Sequence, residues 1–147
     1  MHLPTHLEPA LAYARRGWRV YPIHGIYNGC CTCRRPNCDN PAKHPLETGG
    51  FKAASCEEQT LRQWFRGVAN VGLATGAASG LLVLDIDPKH GGDASLAFLE
   101  AQHGSLPPTP TVTTGGGGRH FYFRYPNVGL IASDSNRWPG IDVRATR

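Results

Sequence analysis

Four of the five cysteines fall between Cys30 and Cys38, in a stretch that has neither a helical nor a strand period. The surrounding residues 24–54 are rich in Pro, Gly and Cys, and their apolar residues do not recur at regular positions. A loop of this length is uncommon inside a compact domain, so we expect something to hold it in place. An odd number of clustered cysteines is not typical of an extracellular disulfide framework, and a bound metal ion is therefore the predicted constraint.

The cysteine cluster continues into a histidine with the spacing Cys31-x-Cys33-x4-Cys38-x5-His44. Three thiolates and one imidazole fill the tetrahedral shell of Zn²⁺, and a fully ligated site of this kind is usually structural. Cys30 could replace Cys31, although the alternation in Cys-Thr-Cys favours Cys31. The sequence predicts a zinc-binding loop over about residues 28–46, against the alternative of free thiols beside an unrelated histidine.

Length and composition narrow the class of protein. The chain has 147 residues, enough for one domain, and its 18 glycines and 12 prolines argue against a coiled coil. No stretch has the roughly 20 apolar residues of a membrane span. The first residues lack the apolar core of a secretory signal, so we expect a cytoplasmic protein that does not enter the membrane.

Charge is distributed unevenly along the sequence. Residues 1–66 carry nine Lys/Arg and five Asp/Glu, a net charge of +4, whereas residues 67–147 carry six of each. A basic first half would suit a polyanionic partner, but ordinary surface charge explains the asymmetry equally well.

Periodicity and turn residues predict an α+β fold. Two helices are expected to begin at capping boxes, Thr5 with Glu8 and Ser55 with Glu58, and Cys56 would then be an inert buried thiol in a first helical turn. Strands outnumber helices and do not alternate strictly with them, which favours α+β over a doubly wound sheet. The remaining predicted elements are a helix at Ala94–His103 and strands at Trp18–Ile23, Val71–Leu73, Leu81–Ile86, Thr111–Thr114, Arg119–Arg124, Ile141–Arg144 and near Leu130.

An apolar run ends in two carboxylates, Asp85 and Asp87. Strand geometry puts these two on one face and Ile86 on the other. Carboxylates at this separation repel each other unless a divalent cation lies between them, and oxygen ligands suit Mg²⁺ or Mn²⁺, which also bind nucleotide phosphates. A turn that uses Asp side chains at the strand end, as Pro88 would favour, is the alternative.

Four consecutive glycines precede the strand predicted at Arg119–Arg124. Glycine lets a backbone approach a ligand closely, and amides in such a turn, including those of Gly117 and Gly118, can cradle phosphate oxygens. Along the strand, His120 and Arg124 face away from the phenylalanines, and His120 could help to clamp a triphosphate. The alternative is a flexible hairpin with a surface histidine.

The last predicted strand repeats the alternation, since Asp142 and Arg144 share one face while Ile141 and Val143 face the core. A third carboxylate on a neighbouring strand would complete a two-metal nucleotidyl-transfer site, in which the metals activate the attacking hydroxyl and stabilise the leaving pyrophosphate. A simple Asp–Arg pair is the alternative.

The order of these motifs, Asp-x-Asp, Gly-Gly-x-His and Ile-Asp, resembles the bifunctional primase–polymerase domain of the archaeo-eukaryotic primase superfamily. Such domains occur in replication proteins of phages, plasmids and prophages. The resemblance extends over most of the chain and includes Ala12-Tyr-Ala-x-x-Gly-Trp18-x-Val-Tyr-Pro22, the cysteine cluster running into Lys43-His44-Pro45, the helix with Trp64, Asn70-Val-Gly-Leu-Ala-Thr-Gly76 and Gly140-Ile-Asp-Val-Arg144.

This resemblance implies that residues 1–147 form one catalytic domain. Its core would be an RRM-like mixed or antiparallel sheet packed against a smaller α/β unit, with the zinc-binding loop as an insertion. The implied reaction is template-directed nucleotidyl transfer on a DNA template and primer, with dNTPs or NTPs as substrates. The resemblance implies that three carboxylates hold Mg²⁺ or Mn²⁺, namely Asp85, Asp87 and Asp142. It implies that His120 contacts the nucleotide triphosphate, assisted by Arg119 and Arg144. The implied zinc ligands are Cys31, Cys33, Cys38 and His44.

The chain departs from the family pattern in two places. It has Gly116 where the family often has Ser, which removes one possible phosphate hydrogen bond. Family members continue past Asp-Val-Arg with a Gly-rich turn and a further strand, whereas this sequence stops at Arg147. We therefore expect a C-terminally truncated domain, separated from a helicase that is C-terminal or a separate protein.

Two functions from other classes also fit the residues. One is a non-catalytic, zinc-stapled module that binds nucleic acid through its basic first half. The other is a metal-dependent phosphohydrolase that uses the same carboxylates without a template.

Overall fold

The computed structural model describes residues 5–146, without the side chain of Asn136, and divides the chain after Ala74 into two units. Below, the first unit is residues 5–74 and the second unit is residues 75–146. The elements of the first unit are α1 (Leu7–Arg15), β1 (Val20–His24), β2 (Ile26–Tyr27), β3 (Cys30–Cys31), α2 (Glu58–Trp64) and β4 (Ala69–Leu73). Those of the second are β5 (Leu81–Ile86), α3 (Gly92–His103), β6 (Thr111–Thr113), β7 (Arg119–Arg124), β8 (Asp134–Trp138) and β9 (Ile141–Arg144).

The first unit has a small core between its helices and the antiparallel pair β1–β4. In α1, Leu7, Ala10, Leu11 and Ala14 recur at helical spacing and turn one face of the helix inward. The fully buried residues of this core are Ala10, Leu11, Val20, Leu61, Phe65 and Ala69. Burying a side chain such as Leu61 contributes about 1.5–3 kcal/mol to the free energy of folding. Burial in this cluster is therefore the main apolar contribution to the stability of the first unit.

Both helices begin without the predicted capping boxes. The N-cap residues are His6 and Glu57, and neither makes a side-chain capping hydrogen bond. Ser55 Oγ instead accepts a hydrogen bond from the Glu57 amide, so the hydroxyl stabilises the turn before α2. Cys56 lies in this turn and is exposed, so the prediction of a buried thiol is wrong.

The cysteine-rich segment contains a short hairpin that the hydrophobic period did not reveal. Strands β2 and β3 pair antiparallel, with Tyr27 opposite Cys30, and the connecting residues Asn28 and Gly29 both have positive φ, 49° and 77°. Two positive φ angles are the mark of a type I′ turn, for which Asn-Gly is the favoured dipeptide. The hairpin leaves Cys30 exposed and turns Cys31 into the protein, where it is buried.

The second unit is a five-stranded sheet in the order β6-β7-β5-β9-β8, and every neighbouring pair is antiparallel. Helix α3 packs on one face, where Ile86, Leu96 and Ile141 form a buried cluster. Without β8, the strands taken in chain order are arranged 2-3-1-4, as in the four-stranded RRM sheet, and α3 follows the first of them. Between β7 and β9 the described chain has no second helix and forms β8 instead.

The strand predicted near Leu130 is wrong in position. Leu130 is 79% exposed and lies before β8, which spans Asp134–Trp138 at the edge of the sheet. An edge strand made mainly of polar residues has no hydrophobic alternation, so the apolar Leu130 was a misleading signal. The predicted α+β class with an antiparallel sheet is confirmed, whereas the two units are nearly equal in length.

Candidate functional site

Three of the predicted site residues lie in one row across the second unit's sheet. Asp85 in the central strand β5 is directly opposite His120 in β7 on one side and Asp142 in β9 on the other. The neighbouring residues Ile86 and Ile141 pack with α3, so alternation directs the row to the opposite face. The sheet register therefore brings two carboxylates and one imidazole together from three separate parts of the sequence.

The side chains of this row are linked by charge. His120 Nε2 lies 3.3 Å from Asp85 Oδ1, and Arg144 Nη2 lies 3.5 Å from Asp85 Oδ2. Arg144 also donates to Asp142 Oδ2. The carboxylates are about one quarter exposed, with side-chain values of 26% for Asp85 and 27% for Asp142, so each retains access to a solvent-borne ligand.

The environment keeps Asp85 ionised at neutral pH. The hydrogen bond from His120 has the largest effect and lowers the pKa of the carboxyl group. The charges of His120 and Arg144 lower this pKa further, and together with that hydrogen bond they outweigh the opposite effect of burial. An ionised, half-buried carboxylate is the form that accepts a hard cation.

Asp87 is not in the row. It follows the end of β5 and is the N-cap of a 3₁₀ turn, Pro88–His90, where its carboxylate accepts from the Lys89 amide at 2.9 Å and lies 2.7 Å from His90 Nδ1. The hydrogen bond with His90 lowers the pKa of Asp87. The alternative predicted from the sequence, a turn at the strand end that uses an Asp side chain, therefore describes the backbone here. The Asp87 carboxylate has His90 as its partner, outside the Asp85–Asp142 pair.

The backbone of Asp87 is fixed by close glycine contacts. The Asp87 amide donates to the Gly140 carbonyl at 2.8 Å, and the Gly92 amide donates to the Asp87 carbonyl at 2.8 Å. A Cβ atom at Gly92 would lie 2.5 Å from the Gly140 carbonyl oxygen, so only glycine allows this approach. These contacts fix where β5 ends relative to β9, and hence where the carboxylates lie.

The glycine-rich segment forms a tight turn closed by Thr114. The Gly117 amide donates to the Thr114 carbonyl at 2.9 Å, and the Gly118 amide donates to Thr114 Oγ1 at 3.0 Å. A Cβ at Gly118 would lie 2.7 Å from the Ile86 carbonyl oxygen, so this glycine is required by the packing of the hairpin on β5. The two amides predicted to cradle phosphate therefore have internal partners.

Arg119 lies on the other side of the sheet from His120. Its Nη2 contacts Asp93 Oδ1 in the first turn of α3 at 2.5 Å, and its guanidinium lies over the Phe121 ring at 5.4 Å. Alternation along β7 separates it from the carboxylate row. Of the two arginines predicted to assist, Arg144 contacts the row and Arg119 contacts α3.

The four predicted zinc ligands of the first unit converge. One ligand atom from each of Cys31, Cys33, Cys38 and His44 lies within 4.8 Å of all the others, and in residues 5–146 no other group of three or more Asp, Glu, His or Cys side chains is gathered so closely. His44 Nε2 is 3.5 Å from Cys31 Sγ and 3.4 Å from Cys38 Sγ. These side chains can hold a metal ion, and three thiols with one imidazole form a donor set used by structural zinc.

A second histidine supports this cluster, and sequence reasoning did not identify it. The His24 ring lies 4.5 Å from the His44 ring, and the His24 amide donates to the His44 carbonyl at 3.0 Å. His24 Nδ1 is fixed in turn by Thr32 Oγ1 at 2.8 Å. Burial, His44 and the charge of Arg35 lower the pKa of His24, in that order of effect. Such outer contacts orient metal ligands.

The thiols of the cluster differ in acidity, which gives a testable pH dependence. The Ala42 amide, 3.5 Å from Cys31 Sγ, is the largest cause that lowers the pKa of Cys31 to about 6, whereas burial raises the pKa of Cys38. In metal-free protein, under conditions where circular dichroism shows the first unit folded, the ultraviolet absorbance of thiolates should therefore rise as pH increases through about 6. This step should disappear in Cys31→Ser and persist in Cys30→Ser; persistence in Cys31→Ser would contradict the assignment.

No helix in the described part of the chain is long and apolar enough to cross a membrane.

Comparison with known proteins connects both sites to one family. A family model described as bifunctional DNA primase/polymerase, N-terminal, matches residues 10–147, whereas no curated protein and no solved structure matches the chain. The match spans every predicted site residue and supports a DNA primase/polymerase-type function in general, with binding of DNA and nucleotides. The chain therefore belongs to the family of bifunctional DNA primase/polymerase N-terminal domains.

Proposed function

We propose that this chain catalyses template-directed nucleotidyl transfer, as a DNA primase and polymerase, at the row formed by Asp85, His120 and Asp142. The observation that supports this most directly is the sheet register, which places the imidazole and the second carboxylate on either side of Asp85. The row occupies the face opposite α3 and retains access to solvent, as a site for a nucleotide and a DNA end requires.

The carboxylates would hold Mg²⁺ or Mn²⁺. Oxygen ligands on Asp85 and Asp142 suit such hard cations. Asp87 would join them by giving up its contact with His90 for a contact with the cation. A bound metal pair supplies activation of the attacking 3′-hydroxyl and stabilisation of the pyrophosphate that leaves. The protein's own part is to fix the carboxylate oxygens on rigid strands, which lowers the cost of ordering them when ligand binds.

His120 and Arg144 would bind the triphosphate of the incoming nucleotide. Both lie beside the carboxylates and carry N–H donors, which suit phosphate oxygens. In the glycine turn, Gly117 and Gly118 would serve mainly to shape the backbone, because their amides are bonded to Thr114. Arg119, through Asp93, would hold the start of β7 against α3 rather than contact phosphate directly.

The other parts of the proposal concern structure and context. The Cys31, Cys33, Cys38 and His44 cluster would hold a structural zinc ion that orders the loop around it. The enzyme would act in the cytoplasm on a DNA template and primer, with dNTPs or NTPs, in the replication of a phage, plasmid or prophage element. A helicase, C-terminal or separate, would expose the single strand that is copied.

Nucleotide binding tests the site before catalysis is required. Calorimetry with a dNTP and Mn²⁺ should show binding by wild type that is lost in His120→Ala and retained in His103→Ala, a histidine exposed at the end of α3. Incorporation should then require a template strand. Phosphate release without template would favour the phosphohydrolase, and a folded, zinc-loaded protein that binds DNA but no dNTP would favour the non-catalytic module.

A further inference from the structure

A single guanidinium nitrogen bridges the two carboxylates of the row. Arg144 Nη2 lies 3.5 Å from Asp85 Oδ2 and donates to Asp142 Oδ2. Arg144 stands two residues beyond Asp142 on the same face of β9, opposite Val83 of β5. Its side chain therefore reaches back along the strand to the junction of both carboxylates.

This arrangement has an electrostatic cause. Asp85 and Asp142 are direct cross-strand neighbours, and like charges in that position destabilise a sheet. The planar guanidinium carries a permanent positive charge and several donors, so it can neutralise two carboxylates at once. The other oxygen of Asp85 faces His120 Nε2, which leaves Oδ2 as the oxygen available to a cation shared with Asp142.

We infer that Arg144 is an exchangeable counter-ion that competes with divalent cations for Asp85 and Asp142 and, once displaced, turns to the nucleotide triphosphate. The inference rests on the proposed function of this row. A cation that uses Oδ2 of both carboxylates must displace the Arg144 contacts, because these are the oxygens that Arg144 occupies. The displaced guanidinium remains at the edge of the row, where a phosphate is its natural partner.

Exchange of this kind couples the metal to the nucleotide. Arg144 lowers the affinity of the row for a free cation, which must compete with it, and raises the affinity for a cation that arrives with a triphosphate. By thermodynamic linkage the nucleotide then strengthens metal binding by the same factor as the metal strengthens nucleotide binding. The row would thereby discriminate against Mn²⁺ or Mg²⁺ that arrives alone.

The test measures Mn²⁺ binding by the 147-residue chain without nucleotide, by electron paramagnetic resonance of the free ion. Arg144→Gln should bind Mn²⁺ about tenfold more tightly than wild type, within the usual range of coupling between sites. Arg144→Lys, which keeps the positive charge but not the planar guanidinium, should give a smaller gain in Mn²⁺ affinity. Arg124→Gln is the matched control, because Arg124 lies on the same face of β7 and has no contact with either carboxylate.

A second readout has the opposite sign. In saturating Mn²⁺, Arg144→Gln should bind dNTP about tenfold more weakly than wild type. A folding defect, in contrast, would weaken the binding of both Mn²⁺ and dNTP. Unchanged or weaker Mn²⁺ binding in Arg144→Gln and Arg144→Lys would overturn the inference, as would an equal gain in Arg124→Gln. Asp142→Asn distinguishes failure of the exchange from failure of the metal site. If Asp142→Asn loses Mn²⁺ binding while Arg144→Gln binds Mn²⁺ no more tightly than wild type, only the exchange is wrong. If Asp142→Asn binds Mn²⁺ like wild type, the proposed metal site is wrong as well.

Discussion

Asp85→Asn is expected to lower the rate of nucleotide incorporation by about a hundredfold to a thousandfold, the range seen when a group that stabilises transition-state charge is removed. Asp85 is the centre of the row, and its two oxygens face His120 and Arg144. The substitution keeps the shape of the side chain and removes its charge, so both contacts lose their electrostatic component. No other carboxylate in the row contacts both partners.

Single-turnover primer extension in Mn²⁺, with wild type measured alongside, checks this result. Glu58→Gln is the matched control, since it makes the same chemical change in an exposed pair with Arg62 on α2, where the ion pair contributes about 0.3–0.5 kcal/mol. Thermal unfolding of Asp85→Asn should show a cooperative transition, which separates loss of chemistry from loss of fold. Incorporation within about threefold of wild type, a difference of about 0.7 kcal/mol in the activation barrier, would place the chemistry elsewhere.

The sequence predicts the composition of the row because a strand has a fixed period. Alternation requires that Asp85 and Ile86 face opposite sides, and the same rule applied to β7 and β9 puts His120 and Asp142 on the polar side. The sequence alone does not supply the register between strands, which depends on turns and bulges. Here the close approach of Gly92 to Gly140 and of Gly118 to Ile86 helps to set that register.

Long side chains at the row were harder to predict than strand positions. Asp142 and Arg144 were expected to share a face, and they do, but the contact of Arg144 with Asp85 depends on four rotatable side-chain bonds and on the neighbouring strand. For Asp87, in contrast, the strand position itself was hard to predict. Its position in the chain suggests the same face as Asp85, but the strand ends at Ile86, and the carboxylate caps the following turn.

In the first unit, local turn chemistry carried more information than hydrophobic period. The dipeptide Asn28-Gly29 is a strong hairpin signal and could have located β2 and β3 within the cysteine-rich segment. The ligand spacing predicted which side chains meet, because four donors of the right type lie within a few residues of one another. The contact with His24 could not be predicted in the same way, since β1 is brought to His44 only by the fold.

Loss of one zinc ligand should have the largest effect on stability. Cys33→Ser is expected to release the metal and to lower the free energy of unfolding of the first unit by about 4 kcal/mol or more, as for other losses of a structural metal. Within residues 32–49 no residue is buried, and the contacts with strands are polar or local: an isolated bridge between Pro45 and Ile23, and hydrogen bonds of Thr32 with His24 and of Ala42 with Asn70. Apolar burial therefore cannot replace the metal as the constraint on this segment.

Metal content by atomic emission and thermal unfolding by circular dichroism measure the two parts of this prediction. Cys30→Ser and Cys56→Ser are matched controls, because both thiols are exposed and lie outside the cluster, so each variant should keep one equivalent of zinc and the wild-type transition. Chelation of zinc from wild type should reproduce the Cys33→Ser transition. If Cys30→Ser loses zinc instead, the ligand alternative considered from the sequence is the right one; if Cys33→Ser keeps both zinc and stability, the cluster is not a metal site.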